Sequence, residues 1–383
     1  MTVYVRLPFR VNKEVKNTME KYKNNIIIIT MTLFLFGVSC LCWFHGSDAY
    51  SVSERRYLKQ FPELTWNTVM NGKFMSEFET YTQDQFPARD ALRGLKSGVA
   101  FYVFAQKDNN DLYLADGYIG KMEYPYNPEA IQYATKVFQG VADRYLNDTD
   151  CRVYYGIIPD KGYFLAEENG YLSMDYALLE EDFCAGMEGM QYINLFDVME
   201  LEDFYQTDTH WRQEALQDVA DVIAQGMGKK LAAEYELCRL EEPFYGVYHG
   251  QLALPVEGET LYYLNNDILE NCIVYDYTNN RETDIYDMEK ATGEDLYEVY
   301  LSGPLSLITI ENPSADTEAE LIIFRDSFGS SIAPLLVEEY AKITLVDIRY
   351  IYSGVLGNYI EFEDQDVLFL YSTMVLNNSE TLK

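Results

Sequence analysis

Apolar positions along the chain fall into three patterns. The first is an unbroken run from Ile26 to Phe44 with no charged residue. At ~1.5 Å per residue this run approaches the ~20 residues that cross a bilayer, so it predicts one transmembrane helix over 26–44. The second pattern has helical spacing. Phe74, Phe78 and Tyr81 share one face, as do Ala130, Val137 and Val141. Leu216, Val219, Ala220, Ile223 and Met227 form a third face, with Gly228 as its C-cap. The third pattern is short runs rich in Val, Ile and Tyr, bounded by turn residues. These runs predict strands at 152–158, 191–196, 321–324, 343–348 and 366–371. Residues 112–120 read as a hairpin turned at Asp116-Gly117.

The order of these elements sets the fold class. Strand 321–324, a helix over 332–341 with Pro334 in its first turn, and strand 343–348 make a βαβ unit with parallel strands. The expectation is an α/β domain over 108–383, a parallel sheet flanked by helices. Between about 231 and 319 short β-like segments replace helices, at 245–248, 260–264, 273–277, 297–301 and 307–310. This segment is expected to be an inserted antiparallel β lobe. Residues 46–107 read as a helical stalk or collar, and residues 1–25 as a basic tail.

Charge changes the picture of compartment. Of the 383 residues 62 are acidic and 29 basic, a net charge of −33, which repels phosphates and argues against nucleic acid. Yet Arg6, Arg10, Lys13, Lys16, Lys21 and Lys23 precede the apolar run, against Glu14 and Glu20 alone. That asymmetry holds the N-terminus inside and predicts a single-pass anchor in the cell membrane, with the rest extracytoplasmic. A cleaved signal peptide is the alternative, but its apolar core is ordinarily about 7–15 residues. Outside the cell disulfides are permitted, and Cys238 and Cys272, both in strand-like stretches, are the expected pair. With three histidines and no Cys-x-x-Cys, neither a metal site nor a cofactor is expected.

Two stretches carry candidate chemistry. Leu321-Ile322-Ile323-Phe324-Arg325-Asp326-Ser327-Phe328-Gly329 runs from strand into turn, placing Ser327 at the carboxyl end of a strand and the start of a helix. The backbone N–H groups of Phe328 and Gly329 are the candidate oxyanion donors there. The competing reading makes Ser327 a helix cap. The second stretch is Thr207-Asp208-Thr209-His210-Trp211. In an extended segment residues i and i+2 face one way, so Asp208 reaches the His210 imidazole and holds its tautomer. The competing reading is an N-cap with a packed histidine. Lys161, at the end of strand 152–158, with Arg325 and Trp211 beside the motifs, are candidate substrate contacts. Lys161 otherwise pairs with nearby acids.

Together, Asp208-Thr209-His210-Trp211 and the later Asp326-Ser327-Phe328-Gly329 resemble the DHHW family and its relatives among alginate O-acetyltransferases, SGNH-hydrolase-like proteins of the bacterial cell surface. Asp84-Gln85-Phe86-Pro87-Ala88-Arg89-Asp90 resembles that family's N-terminal block, with Asp84 and Arg89 as a surface or hinge pair, and Pro159-Asp160-Lys161 matches its Pro-x-Lys. The order Asp, His, Ser is similar to the permuted arrangement of the acetyltransferase branch. Two positions depart from the pattern: Thr209 interrupts a literal Asp-His-His-Trp, and Arg325 stands where Gly-Asp-Ser has its glycine. The resemblance implies a three-layer SGNH-like fold and a Ser327, His210, Asp208 triad that O-acetylates a cell-surface polysaccharide. It also implies a membrane-bound O-acyltransferase partner. A carbohydrate esterase using the same triad, or a non-catalytic protein binding glycan or a partner, are the alternatives.

Overall fold

The sheet that carries Ser327 has eight strands, in chain order β1 Arg152–Ile158, β2 Gln191–Ile193, β3 Ile273–Asp276, β4 Arg281–Thr283, β5 Leu307–Glu311, β6 Glu320–Arg325, β7 Lys342–Val346 and β8 Asp366–Ser372. In space they run β4-β3-β5-β7-β6-β8-β1-β2. The pairs among β7, β6, β8, β1 and β2 are parallel, and those joining β4, β3, β5 and β7 are antiparallel. Described in this computed structural model are residues 13–383, which divide into two units. The larger comprises Val52–Arg55 and Arg93–Lys383, the smaller the residues up to Ser51 and Arg56–Leu92.

Both faces of the sheet are covered, so its central strands are apolar on both sides, as parallel strands must be. Leu321, Ile323, Leu368 and Leu370 point to one face, packed with Val219 and Ile223 of helix Gln217–Gly226. Ile322, Phe324, Val367 and Phe369 point to the other, packed with Phe138 of helix Pro128–Tyr145 and Phe183 of helix Tyr176–Gly186. At ~25 cal/mol per Å² of apolar surface removed from water, these two layers are the main driving force for the unit.

The β-rich segment divides. Strands Glu236–Arg239 and Tyr262–Asn265 form a separate two-stranded ribbon, whereas β3, β4 and β5 extend the main sheet as its antiparallel edge. Two expected strands are helical instead: Val247–Leu252 is an α-helix and Leu296–Val299 a 3₁₀ turn. Their tyrosines had signalled strand, yet Tyr248 and Tyr297 are buried because their rings pack beside the site, a tertiary reason. The helix expected over 332–341 is a short α-helix, Gly329–Ile332, followed by 3₁₀ turns over Ala333–Glu339. Pro334 has no N–H for the i→i−4 ladder, so the tighter helix takes over. The hairpin forms as expected from Leu112–Ala115 and Tyr118–Lys121, with Asp116 at φ +50° and Gly117 at φ +85°. All six cysteines are free, which corrects the expected Cys238–Cys272 bridge. Cys238 lies opposite Tyr263 in its ribbon, and the Cys272 thiol donates to the Ile268 carbonyl.

In the smaller unit, Lys13–Phe44 is one helix, and its Thr18–Phe44 part is apolar and long enough to cross a membrane, with none of its core window buried. It has the character of a single-pass anchor or a signal sequence. Further along, the Phe74, Phe78 and Tyr81 rings of helix Lys73–Asp84 gather around Phe61. Asp84 and Arg89, expected as a surface or hinge pair, do pair, but not at the surface. Asp84 is buried, and Arg56 takes both its oxygens at 3.0 and 2.6 Å while the Lys59 N–H donates at 2.8 Å. Arg89 completes the cluster as a longer ion pair at 3.9 Å.

Candidate active site

Ser327 lies two residues beyond the end of β6 and two before the short helix Gly329–Ile332, at the carboxyl ends of the parallel strands. Asp326 shapes this turn. Its carboxylate accepts from the Phe328 N–H at 3.0 Å and, across to β8, from the Ser372 N–H at 2.8 Å. Ser327 is half-buried while its neighbours on both sides are buried.

His210 reaches Ser327 from a different part of the chain. Residues Tyr205 to His210 form a tight loop closed by the Tyr205 N–H donating to the His210 carbonyl. Asp208 and His210 face the same way because of an Asx turn, not strand alternation: Asp208 Oδ1 accepts from the His210 N–H at 3.0 Å. The same oxygen lies 2.6 Å from His210 Nδ1, and His210 Nε2 lies 2.7 Å from Ser327 Oγ. With Asp208 accepting from Nδ1–H, Nε2 is left to accept the serine proton. The other Asp208 oxygen accepts from the Val247 N–H at 2.7 Å, at the start of helix Val247–Leu252. Burial pushes the Asp208 carboxyl up, but the adjoining His210 and the Arg55 guanidinium outweigh it and hold it well below the usual carboxylate range. It is an anion at neutral pH.

The imidazole is also held flat. Tyr297 stacks on it at 3.9 Å with 9° between ring planes, and its hydroxyl meets Ser331 Oγ at 2.8 Å. Trp211 donates from Nε1 to the same Ser331 Oγ at 2.7 Å. A charged layer lies behind: Arg55 pairs with Asp295 and donates to the Tyr245 carbonyl.

Neither a family model nor a curated protein matches this sequence. Solved structures do. A DHHW family protein from Eubacterium siraeum superposes with a TM-score of 0.57 at 17% identity, covering 72% of this chain and 95% of that one. This chain has the fold of a DHHW family protein. Bacillus cereus PatB1 superposes at 0.55 with 18% identity over 70% of this chain and 97% of its own, and its sulfonyl adduct at 0.54 with 17% identity over 69% and 97%. The O-acetyltransferase domain of Pseudomonas putida AlgJ superposes at 0.42 with 12% identity, covering 70% of this chain and 92% of that one.

Within this DHHW-type fold, several expected contacts are corrected. The Phe328 N–H is engaged by Asp326 Oδ1, and the Gly329 N–H by the Asp326 carbonyl at 3.2 Å, so both expected oxyanion donors point back into the turn. Ser327 N–H, by contrast, meets no acceptor among the described residues. Gly329 is needed for space: a Cβ there would lie 2.6 Å from Arg325 Cβ. Arg325 does not face the site. It is fully buried, donates to the Asp326 and Leu305 carbonyls, and approaches Asp347 at 4.0 Å. Trp211 is fully buried too, donating to Ser331 and packed edge to face on Phe328. Lys161 is 3% exposed. Its ammonium donates to the Tyr205 and Gln206 carbonyls at 2.9 and 3.2 Å and sits over the Tyr248 ring, so it pins the loop that carries Asp208. Burial brings its pKa down to about 7.

Three participants carried no sequence signal of their own. Glu259 accepts from the Gln206 and Thr207 N–H groups, both at 2.7 Å, and from the Thr207 hydroxyl at 2.5 Å. It grips the amides of the loop whose carbonyls Lys161 holds. Gly246 lies against the same backbone, where a Cβ would come within 2.3 Å of the Thr207 carbonyl. Tyr297 is one of 34 tyrosines, which hid it. Among the described residues no group of three or more His, Cys, Asp and Glu side chains is arranged to hold a metal.

Proposed function

We propose that this chain is an extracytoplasmic O-acyltransferase that O-acetylates a cell-surface polysaccharide, with Ser327 as nucleophile, His210 as general base and Asp208 as its orienter. The observation that supports it is the unbroken hydrogen-bonded line from buried Asp208 through both nitrogens of His210 to Ser327 Oγ, at 2.6 and 2.7 Å. A helix cap needs no such line.

Ser327 Oγ attacks the acyl carbonyl as its proton passes to His210 Nε2, and Asp208 stabilises the imidazolium. The Ser327 N–H donates to the oxyanion. The imidazolium then protonates the leaving group, and the acyl group rests on Ser327. In the second half His210 takes the proton of a sugar hydroxyl, which attacks the acyl-serine, and the imidazolium returns that proton to Ser327 Oγ as the acyl–oxygen bond breaks. The apolar helix anchors the chain, and the basic residues before it keep the N-terminus inside. A membrane-bound O-acyltransferase partner would deliver the acyl group. That a sulfonyl adduct is known for PatB1 makes a sulfonyl reagent a natural probe.

The test uses the full chain in detergent micelles with p-nitrophenyl acetate or phenylmethylsulfonyl fluoride, read by peptide mass. The expected outcome is an adduct on Ser327, absent in Ser327→Ala and slowed by about 10²–10⁴ in His210→Ala, the range for a lost general base. Absence of any adduct would sink the proposal and leave Ser327 a cap. Release of free acetate as fast as nitrophenol, with sugar present, would favour the esterase.

A further inference from the structure

A second concave site lies on the sheet, away from the triad. Thr309 of β5 and Thr344 of β7 are register partners, so their side chains stand side by side on one face. They are 6% and 4% exposed. Here both line a cavity of about 360 Å³, the size of a small-ligand pocket. Its rim holds Tyr277 and Tyr359, 40% and 53% exposed and 6.3 Å apart edge to face. Glu361 and Glu363 also line it, while its Lys342 already pairs with Glu320 at 3.7 Å.

These groups match one ligand chemistry. Exposed tyrosine rings offer flat apolar area with a polar tip, which suits the C–H face of a pyranose. Threonine hydroxyls and carboxylates exchange hydrogen bonds with sugar hydroxyls, and the carboxylates add attraction for an ammonium. The same surplus of negative charge disfavours uronates and phosphates. The cavity runs along the strands from Glu320, at the opening of β6, to Leu307, which is level with Phe324 through β7, and none of its lining residues belongs to the triad. That separate lining makes it a site of its own.

We propose that this cavity is a glycan subsite for neutral or amino sugars, holding one segment of a polysaccharide while another segment reaches Ser327. The choice of a glycan rests on the function proposed above, but binding here does not involve Ser327. The test is calorimetric titration of the full chain in micelles with glucosamine tetrasaccharide, N-acetylglucosamine tetrasaccharide and tetragalacturonate. At least one of the first two binds, and tetragalacturonate does not. Thr344→Val, nearly isosteric, and Tyr359→Ala each weaken Kd at least tenfold. Both variants still form the Ser327 adduct at the wild-type rate, which shows them folded, and Ser327→Ala still binds sugar. Failure of both amino-sugar probes to bind wild type, equal binding by both variants, or preference for the uronate overturns the subsite. If the adduct fails while sugar binding stands, the triad reading falls and the subsite survives.

Discussion

At the residue scale, the site depends on side chains whose charge state burial controls. Lys161 shows how. An ammonium held at a pKa of about 7, against ~10.4 in an unfolded chain, is partly neutral at physiological pH. Two N–H groups of a neutral amine still serve the Tyr205 and Gln206 carbonyls. Between about pH 7 and 10 the unfolded chain binds the proton that the folded chain has released, so this group makes stability rise with pH across that window. Replacing Lys161 with Met removes that contribution. Urea unfolding at several pH values should therefore show wild type gaining on Lys161→Met from pH 7 to 10, and parallel curves would refute the assignment.

At the element scale, the loop from Tyr205 to His210 is not a regular element. It is shaped by what grips it: Lys161 on its carbonyls, Glu259 on its amides, and Gly246 packed against its backbone. Hydrogen bonds to a charged acceptor each contribute about 1.5–3 kcal/mol, and Glu259 accepts three. Glu259→Gln turns one of the two accepting oxygens into a donor facing N–H groups. We expect a loss of about 2–3 kcal/mol in unfolding free energy and slower Ser327 acylation, with Glu259→Asp intermediate. An unchanged denaturation midpoint for Glu259→Gln would show that the loop holds its shape without the carboxylate.

At the scale of the whole molecule, the chain holds six free cysteines and stabilises its larger unit by two apolar layers over an eight-stranded sheet. Alkylation in denaturant without reductant should add six labels to the full chain. Four labels would mean a disulfide that the free thiols exclude. The sequence already marked much of this architecture. The βαβ around Ser327 was legible because buried parallel strands are continuous apolar runs, and the hairpin at Asp116-Gly117 because its turn demands positive φ. The Asp208-Thr209-His210 and Asp326-Ser327 motifs were legible as chemistry because each is contiguous. The antiparallel character of the segment was legible too, but strand signals do not say which sheet a strand joins, so the place of β3 to β5 at the edge of the main sheet was not.

What the sequence determined by itself was therefore local: the apolar span, the strand and helix periodicities, and the pairing of Asp208 with His210 across two residues. The tertiary structure decided everything that joins distant segments. It brought His210 to Ser327 across 117 positions and turned the Phe328 and Gly329 amides inward. It buried Lys161, Arg325 and Trp211 as supports and stacked one tyrosine among 34 on the imidazole. The physical reason is that burial and hydrogen-bond partners belong to the packed chain. A residue type announces which interactions it is able to make, and only packing selects among them.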